Sequence, residues 1–116
     1  MTNFLQETLT VLASYNKTPE DVLWVGDHEK KTTWEDFASI ANFSYDNGYG
    51  INEITDTLYI VGDSWWLERG EYDGSEWWEF KTTPTCDAKT YSKIVSVKYD
   101  WNNGIIWGED YEKSNS

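Results

Sequence analysis

The sequence has few residues of several types, and each shortage excludes a class of structure. Cys86 is the only cysteine, which excludes an internal disulfide and a zinc site built from cysteines. His28 is the only histidine, which excludes a two-histidine metal site. No apolar run approaches the ~20 residues that span a bilayer, and no export signal opens the chain. We therefore expect a cytoplasmic protein that does not enter a membrane.

Basic residues are a second shortage. The chain has 21 acidic and 9 basic residues, a formal net charge of −12, and Arg69 is its only arginine. Because proteins bind nucleic acid and anionic membranes by placing Lys and Arg against phosphates, we expect neither as a direct partner. The same negative field attracts a basic protein surface and speeds the encounter with it. The alternative is that the charge only keeps the chain soluble.

Aromatic residues are abundant, with eight Trp, eight Tyr and four Phe in 116 residues. Each of these side chains buries roughly 150–250 Å² when enclosed, so one core suffices for a chain of this length. We predict a single domain over residues 1–116, with a frayed polar tail at 109–116.

Two stretches carry helix signals. Asn3 precedes an apolar stripe that predicts a helix near residues 4 to 16. Thr32 or Thr33 precedes acidic residues at the spacing of a capping box, which predicts a second helix near residues 34 to 42. The apolar face of the second helix is predicted to comprise Trp34, Phe37, Ile40 and Ala41.

Strand signals favour hairpins. Val22 to Gly26 and Lys31 to Thr33 form one predicted pair, Leu58 to Val61 a further strand, and Tyr91 to Tyr99 with Ile105 to Trp107 a terminal hairpin. The strongest signal is Asp73-Gly74 between Trp65 to Glu71 and Trp77 to Lys81. The expected fold class is therefore α+β, a small antiparallel sheet built on tryptophan-rich hairpins with two or more helices packed against it.

The register of the central hairpin depends on its turn. A two-residue turn places Leu67 opposite Phe80 and Arg69 opposite Trp78, whereas a three-residue bulged turn shifts every pair by one. In either case the pairs Trp65-Trp66 and Trp77-Trp78 each send one ring toward the core and one away from it, because neighbouring strand residues face opposite sides. The outward rings are either covered by other elements or form an exposed binding patch. Arg69 is expected to be an internal cation that stacks on a tryptophan.

No arrangement of residues indicates catalysis. His28 lies in a charged turn, and the acid Asp87 beside Cys86 disfavours the thiolate that a nucleophile needs. Carboxylate pairs across the hairpin, Glu68 with Glu79 or Glu71 with Glu76, could flank a sugar, but 21 acidic residues make chance proximity common. We predict a protein that is not an enzyme and that has no catalytic residues, metal ligands or cofactor.

The segments Trp65 to Arg69 and Glu71 to Lys81, preceded by Tyr45 to Gly50, resemble small proteins encoded by phages and prophages of Gram-positive bacteria. The resemblance covers about Val22 to Pro84, and it carries over no functional residues. It implies a phage context, in which small acidic proteins resemble inhibitors of host machinery such as anti-CRISPR proteins.

The leading hypothesis is a non-enzymatic inhibitor in the host cytoplasm that binds a basic, nucleic-acid-handling defence protein such as a CRISPR effector nuclease, with carboxylates in place of phosphates. The alternatives are a small-ligand or carbohydrate-binding module that uses exposed tryptophans, and an oligomeric accessory phage protein. The predicted contact residues are Asp46, Glu53, Asp56, Asp63, Glu68, Glu71, Asp73, Glu76, Glu79, Trp66 and Trp77.

Overall fold

A computed structural model describes residues 1–48, 50–86, 93–99, 101–102 and 104–108. The chain forms two compact units, residues 1–83 and residues 84–116. The expected α+β class is confirmed. The expectation of one domain over the whole chain stays a prediction, and the tail at 109–116 lies outside the described residues.

The first unit is built on a five-stranded antiparallel sheet. The described part of this unit has seven strands, five in the main sheet and two in a separate pair. In chain order they are β1 Thr2–Asn3, β2 Val22–Gly26, β3 Lys31–Thr32, β4 Ser44–Tyr45, β5 Tyr59–Gly62, β6 Trp65–Tyr72 and β7 Ser75–Thr82. The main sheet has the order β3-β2-β5-β6-β7, while β1 and β4 pair separately. The tryptophan-rich hairpin of β6 and β7 therefore forms one side of the sheet, with β7 as an edge strand.

The turn between β6 and β7 has the two-residue form. Asp73 and Gly74 have φ angles of 49° and 85°, the left-handed pair that a tight hairpin requires. Leu67 consequently pairs with Phe80 and Arg69 with Trp78, so the first of the two predicted registers is confirmed.

Both predicted helices are present. Helix α1 spans Phe4–Ser14 and α2 spans Trp34–Ala41, with a 3₁₀ turn at Pro19–Asp21 between them. The Asn3 side chain accepts a hydrogen bond from the Gln6 backbone N–H at 2.9 Å, and Thr33 does the same for Asp36 at 3.1 Å. These caps satisfy N–H groups that have no partner within the helix.

The core lies between these helices and one face of the sheet, which we call the inner face. The row Val25, Ile60, Leu67 and Phe80 crosses that face from β2 to β7. The buried apolar residues are Phe4, Leu12, Val25, Phe37, Ala41, Tyr45, Ile54, Ile60, Trp65, Leu67 and Trp78. The indole N–H of Trp78 donates to the Thr8 hydroxyl at 2.9 Å, so its polar atom is satisfied inside the core.

Ile40 is a correction to the predicted core. It is 71% exposed, whereas Phe37 and Ala41 of the same helix are buried. An eight-residue helix against a small sheet presents only a narrow stripe to it, and Ile40 lies outside that stripe.

The second unit contains the predicted terminal hairpin. Strands β8 Ile94–Ser96 and β9 Ile106–Trp107 pair antiparallel, and Gly104 has a φ of 63° before β9. The described strand β8 is shorter than the predicted Tyr91 to Tyr99, whose first two residues lie outside the described part of the chain.

Candidate functional site

Arg69 is the centre of a buried charge network on the inner face. Its side chain is only 3% exposed, and its Nη2 donates to Glu76 Oε1 at 3.1 Å and to the Tyr45 hydroxyl at 3.2 Å. Its Nη1 lies 4.0 Å from Glu7 Oε1. Two carboxylates from distant parts of the chain thus share one cation.

Aromatic rings enclose the same guanidinium. Its central carbon lies 4.7 Å from the ring centre of Trp78, 5.3 Å from that of Phe4 and 5.9 Å from that of Tyr45. Arginine is weakly hydrated for a cation and stacks well on rings, which lowers the cost of burying it. The prediction of an internal arginine against a tryptophan is confirmed.

The Tyr45 hydroxyl is tied to this network. It donates to Glu7 Oε1 at 2.5 Å while it accepts from Arg69. Burial raises the pKa of the Tyr45 phenol to about 12, and the hydrogen bond to Glu7 acts in the same direction. The neutral phenol is therefore the form that the fold favours.

Glu76 connects the network to the loop that follows β4. Its carboxylate accepts hydrogen bonds from the backbone N–H groups of Glu53 at 2.8 Å and Ile54 at 3.1 Å. Its own backbone N–H donates to the Asn47 carbonyl at 2.7 Å. Glu76 is 3% exposed, so this residue, predicted to contact a partner, is instead occupied inside the protein.

The loop and the hairpin turn together form one negatively charged end of the sheet, which we call the acidic end. It consists of the exposed residues Asp46, Glu53, Glu71 and Asp73. Glu53 accepts from the Asp46 backbone N–H at 2.9 Å, and Glu71 lies opposite Glu76 in the hairpin. A Cβ on Gly74, next to Asp73, would lie 2.9 Å from a loop carbonyl. Four of the predicted contact acids are therefore brought together.

The remaining predicted acids were not assigned to the acidic end. Asp56 is exposed in the segment before β5, and Asp63 is exposed in the turn between β5 and β6. That turn and the acidic end are at opposite ends of the eight-residue strand β6, roughly 25 Å apart at 3.3 Å per residue. Glu68 and Glu79 are half-buried and face each other across the hairpin. Asp63, Glu68 and Glu79 therefore lie away from the acidic end, whereas Asp56 is three residues from Glu53 in the chain.

The opposite face of the sheet, which we call the outer face, carries the outward tryptophans. Trp66 is half-buried there, and Trp77 is 37% exposed. Trp66 donates its indole N–H to Glu68 Oε1 at 2.7 Å. The ring of Trp77 lies across Gly70, where a Cβ would be 2.7 Å from its indole nitrogen. Each predicted tryptophan pair therefore does send one ring to each face.

An open groove of about 630 Å³ crosses the outer face. Its floor is a row from three neighbouring strands, in which Trp24 pairs with Val61 and Val61 with Trp66. We call it the outer-face groove; it is lined by Trp24, Asp27, His28, Glu29, Lys30, Lys31, Tyr59, Val61, Trp66 and Glu68. Both helices pack on the inner face, so neither covers this groove.

The β2–β3 turn forms one wall of the groove. Asp27 Oδ1 accepts from the backbone N–H groups of Glu29 at 2.8 Å and Lys30 at 2.9 Å, and these bonds lower the pKa of the Asp27 carboxyl. His28 Nε2 lies 3.1 Å from the Tyr59 hydroxyl, with the two rings in edge-to-face contact. The turn is thereby fixed against the sheet.

Sequence reasoning missed Trp24 and Tyr59 as members of a site. Tyr59 lies in β5, seven residues before Trp66 and on the strand next to it, whereas Trp24 lies in β2, far from Trp66 in the chain. Alternation within each strand indicates which residues share a face of that strand. It does not indicate that β2 pairs with β5, so no signal in the sequence connected Trp24 to Trp66.

Comparison of the chain with protein-family profiles, curated protein sequences and solved structures gave no match. Within the described ranges, no group of three or more His, Cys, Asp or Glu side chains is placed to hold a metal ion. None of the helices in the described part of the chain is long and apolar enough to cross a bilayer.

Proposed function

We propose that the protein is a non-enzymatic, phage-encoded inhibitor that binds a basic, nucleic-acid-handling protein in the cytoplasm of a bacterial host, with the acidic end as its contact surface. The observation that carries this proposal is the charge balance at that end. Four carboxylates are exposed at that end. Arg69 is the basic side chain that the described ion pairs place beneath them, and it is buried between Glu76 and Glu7.

The distribution of charge along the chain supports the same surface. Residues 1–83 hold 16 acidic and 5 basic side chains, a formal net charge of −11. Nearly all of the negative charge thus belongs to the unit that contains the acidic end. A basic partner is attracted by such a field before contact, which raises the association rate at low ionic strength.

The structure of the acidic end also favours specific binding over loose attraction. The loop is held by the Glu76 carboxylate, by the Asn47 carbonyl and by an Asn47 side chain that donates to Glu7 at 3.3 Å. Because these groups are ordered before a partner arrives, binding loses less conformational entropy. Carboxylates on a fixed loop and turn can then occupy the positions of phosphates in a nucleic-acid channel.

A guide-loaded CRISPR effector nuclease provides the direct test, because it holds nucleic acid in a positively charged channel. We expect the protein to lower the fraction of target DNA that the effector binds, and we expect this effect to weaken steeply between low and physiological ionic strength. Inhibition that does not change with salt would contradict a carboxylate-based contact.

The contact surface is tested by neutralising two of its acids. The double variant Glu71→Gln/Asp73→Asn should inhibit at least tenfold less, equivalent to ~1.4 kcal/mol. Asparagine tolerates the left-handed conformation of Asp73, which protects the turn. The matched control is Glu20→Gln/Glu35→Gln, which changes the net charge equally at two other exposed positions. Equal loss in both double variants would show that overall charge, not the acidic end, is responsible.

If the effector is unaffected, affinity capture from a Gram-positive lysate at two salt concentrations identifies the partner class. Basic nucleic-acid-binding proteins should be captured at low salt by the wild type and by the control, and lost with the Glu71→Gln/Asp73→Asn variant. Capture of the same proteins by all three chains would refute the proposed surface.

A further inference from the structure

The outer-face groove has the size and composition of a small-molecule site. Its volume of about 630 Å³ is within the range of roughly 300–1,000 Å³ that is usual for ligand pockets. Its floor is apolar and aromatic, with Trp24, Val61 and Trp66 in one row across three strands. It lies on the opposite face of the sheet from the Arg69 network.

The two tryptophans of the floor set the length of the ligand. Trp24 and Trp66 lie on strands separated by β5, so their backbones are two strand spacings apart, roughly 10 Å. A single six-membered ring is shorter than this backbone separation. A chain of linked rings with apolar faces can contact both, as the C–H faces of sugar rings do when they stack on indoles.

The walls of the groove carry charges of both signs. Lys30 and Lys31 belong to the β2–β3 turn and strand β3, while Glu29 and Glu68 supply carboxylates. An anionic ligand would meet these carboxylates, and a cationic ligand would meet the lysines. A neutral ligand rich in hydroxyl groups can donate to the carboxylates and accept from the lysines without either repulsion.

Polar atoms inside the groove are already held in place. The Trp66 indole N–H is bound to Glu68 Oε1, which fixes the orientation of the ring. The Tyr59 hydroxyl is positioned by His28 at 3.1 Å, and the His28 turn is itself closed by Asp27. The Lys31 ammonium lies over the Trp24 ring at 6.0 Å from its centre, so a sugar that stacks on that face displaces this side chain, while the other polar groups at the edge are already in place.

We propose that the outer-face groove binds a short neutral oligosaccharide whose sugar rings stack on Trp24 and Trp66 while its hydroxyl groups contact the charged walls. This function is separate from the proposed contact at the acidic end. Loss of sugar binding at the groove therefore does not imply loss of partner binding at the acidic end, and the reverse also holds.

The experiment titrates the full chain with cellotetraose, chitotetraose and maltotetraose, and with glucose and N-acetylglucosamine as single-ring controls. Indole N–H resonances report binding in the unaltered protein. We expect the signals of Trp24 and Trp66 to shift with at least one tetrasaccharide, and the signal of Trp77 on the same face to remain in place. The tetrasaccharide should bind at least tenfold more tightly than its monosaccharide, because only the longer ligand reaches both rings.

Substitutions then locate the site. Trp66→Ala and Trp24→Ala should each weaken binding about tenfold, the effect of ~1.4 kcal/mol of lost stacking. The matched control is Trp77→Ala, which removes an outer-face indole that does not line the groove. Circular dichroism and thermal unfolding identify any variant that fails to fold. The double variant Glu71→Gln/Asp73→Asn should bind sugar like the wild type.

Three results would overturn the proposal. The first is the absence of any indole shift with all three tetrasaccharides at about 10 mM, where even a weak site would be filled. The second is an equal loss of affinity in Trp77→Ala and Trp66→Ala. The third is tighter binding of adenosine monophosphate or tetra-arginine than of any sugar at the same resonances, which would assign the groove to a charged ligand.

Discussion

Replacement of Arg69 by methionine tests whether the buried charge network holds the first unit together. Methionine has a similar length and keeps much of the contact with Phe4 and Trp78, so the substitution mainly removes the charge. It leaves the carboxylates of Glu76 and Glu7, whose side chains are 1% and 14% exposed, without their shared cation.

The expected cost follows from this burial. Removing one partner of a buried ion pair typically destabilises a protein by about 3–5 kcal/mol, because the other charge stays buried and uncompensated. At 0.05–0.15 kcal/mol per residue, a unit of 83 residues has a stability of roughly 4–12 kcal/mol. Arg69→Met should therefore remove a quarter or more of that stability.

Urea unfolding followed by tryptophan fluorescence measures this loss. With a slope of about 1–3 kcal/mol per molar urea, the midpoint should fall by about 2 M. The double variant Arg69→Met/Glu76→Gln should be more stable than Arg69→Met alone, since it removes one buried charge while its amide oxygen still accepts from one of the two backbone N–H groups that Glu76 binds. A cost below about 1 kcal/mol for Arg69→Met, or strictly additive effects in the double variant, would refute the role of this pair.

Three other predictions follow from the same geometry. The urea midpoint should fall as the pH rises from 10 toward 12 and should fall less in Tyr45→Phe, because the unfolded chain ionises this phenol at a lower pH than the folded one. Gly74→Ala should cost about 1–3 kcal/mol in urea unfolding, because the φ of 85° is strained for alanine and its Cβ would lie 2.9 Å from the Gly50 carbonyl oxygen. Trp78→Phe should lower the stability by about 1–3 kcal/mol, since the buried Thr8 hydroxyl loses the indole donor and keeps only its own hydrogen bond to the Phe4 carbonyl.

Each of these predictions has a result that contradicts it. An identical alkaline decline in the wild type and Tyr45→Phe would show that another group controls stability above pH 10. If Gly74→Ala leaves the free energy of unfolding unchanged, the loop does not pack against the turn. If Trp78→Phe and Trp78→Phe/Thr8→Ala have the same stability as the wild type, the buried hydrogen bond contributes nothing.

The parts of the fold that sequence reasoning predicted depend on short-range chemistry. Asn3 and Thr33 cap their helices because a side-chain oxygen reaches an N–H three residues later. Asp73-Gly74 indicated a hairpin turn at this position but left two registers open, and the structure has the register of the two-residue turn. These interactions lie within a few residues of one another, so the sequence alone contains them.

The parts that sequence reasoning did not reach depend on contacts between distant segments. Glu76 and Glu71 are chemically equal acids on one hairpin, and Glu76 is internal because it binds both Arg69 and the loop that contains Glu53. Trp24 and Trp66 share the groove because β5 lies between their strands. Neither relation leaves a pattern in local composition.

The two-residue turn at Asp73 and Gly74 limits how this protein can change. One extra residue at the tip keeps the strand pairs only if the turn becomes a three-residue loop. If the two-residue turn is kept instead, every side chain in β7 changes face relative to β6, so that Trp77 is driven into the core while Glu76 and Trp78 are expelled to solvent. A length change at the hairpin tip is therefore compatible with both faces of the hairpin only where the loop absorbs it.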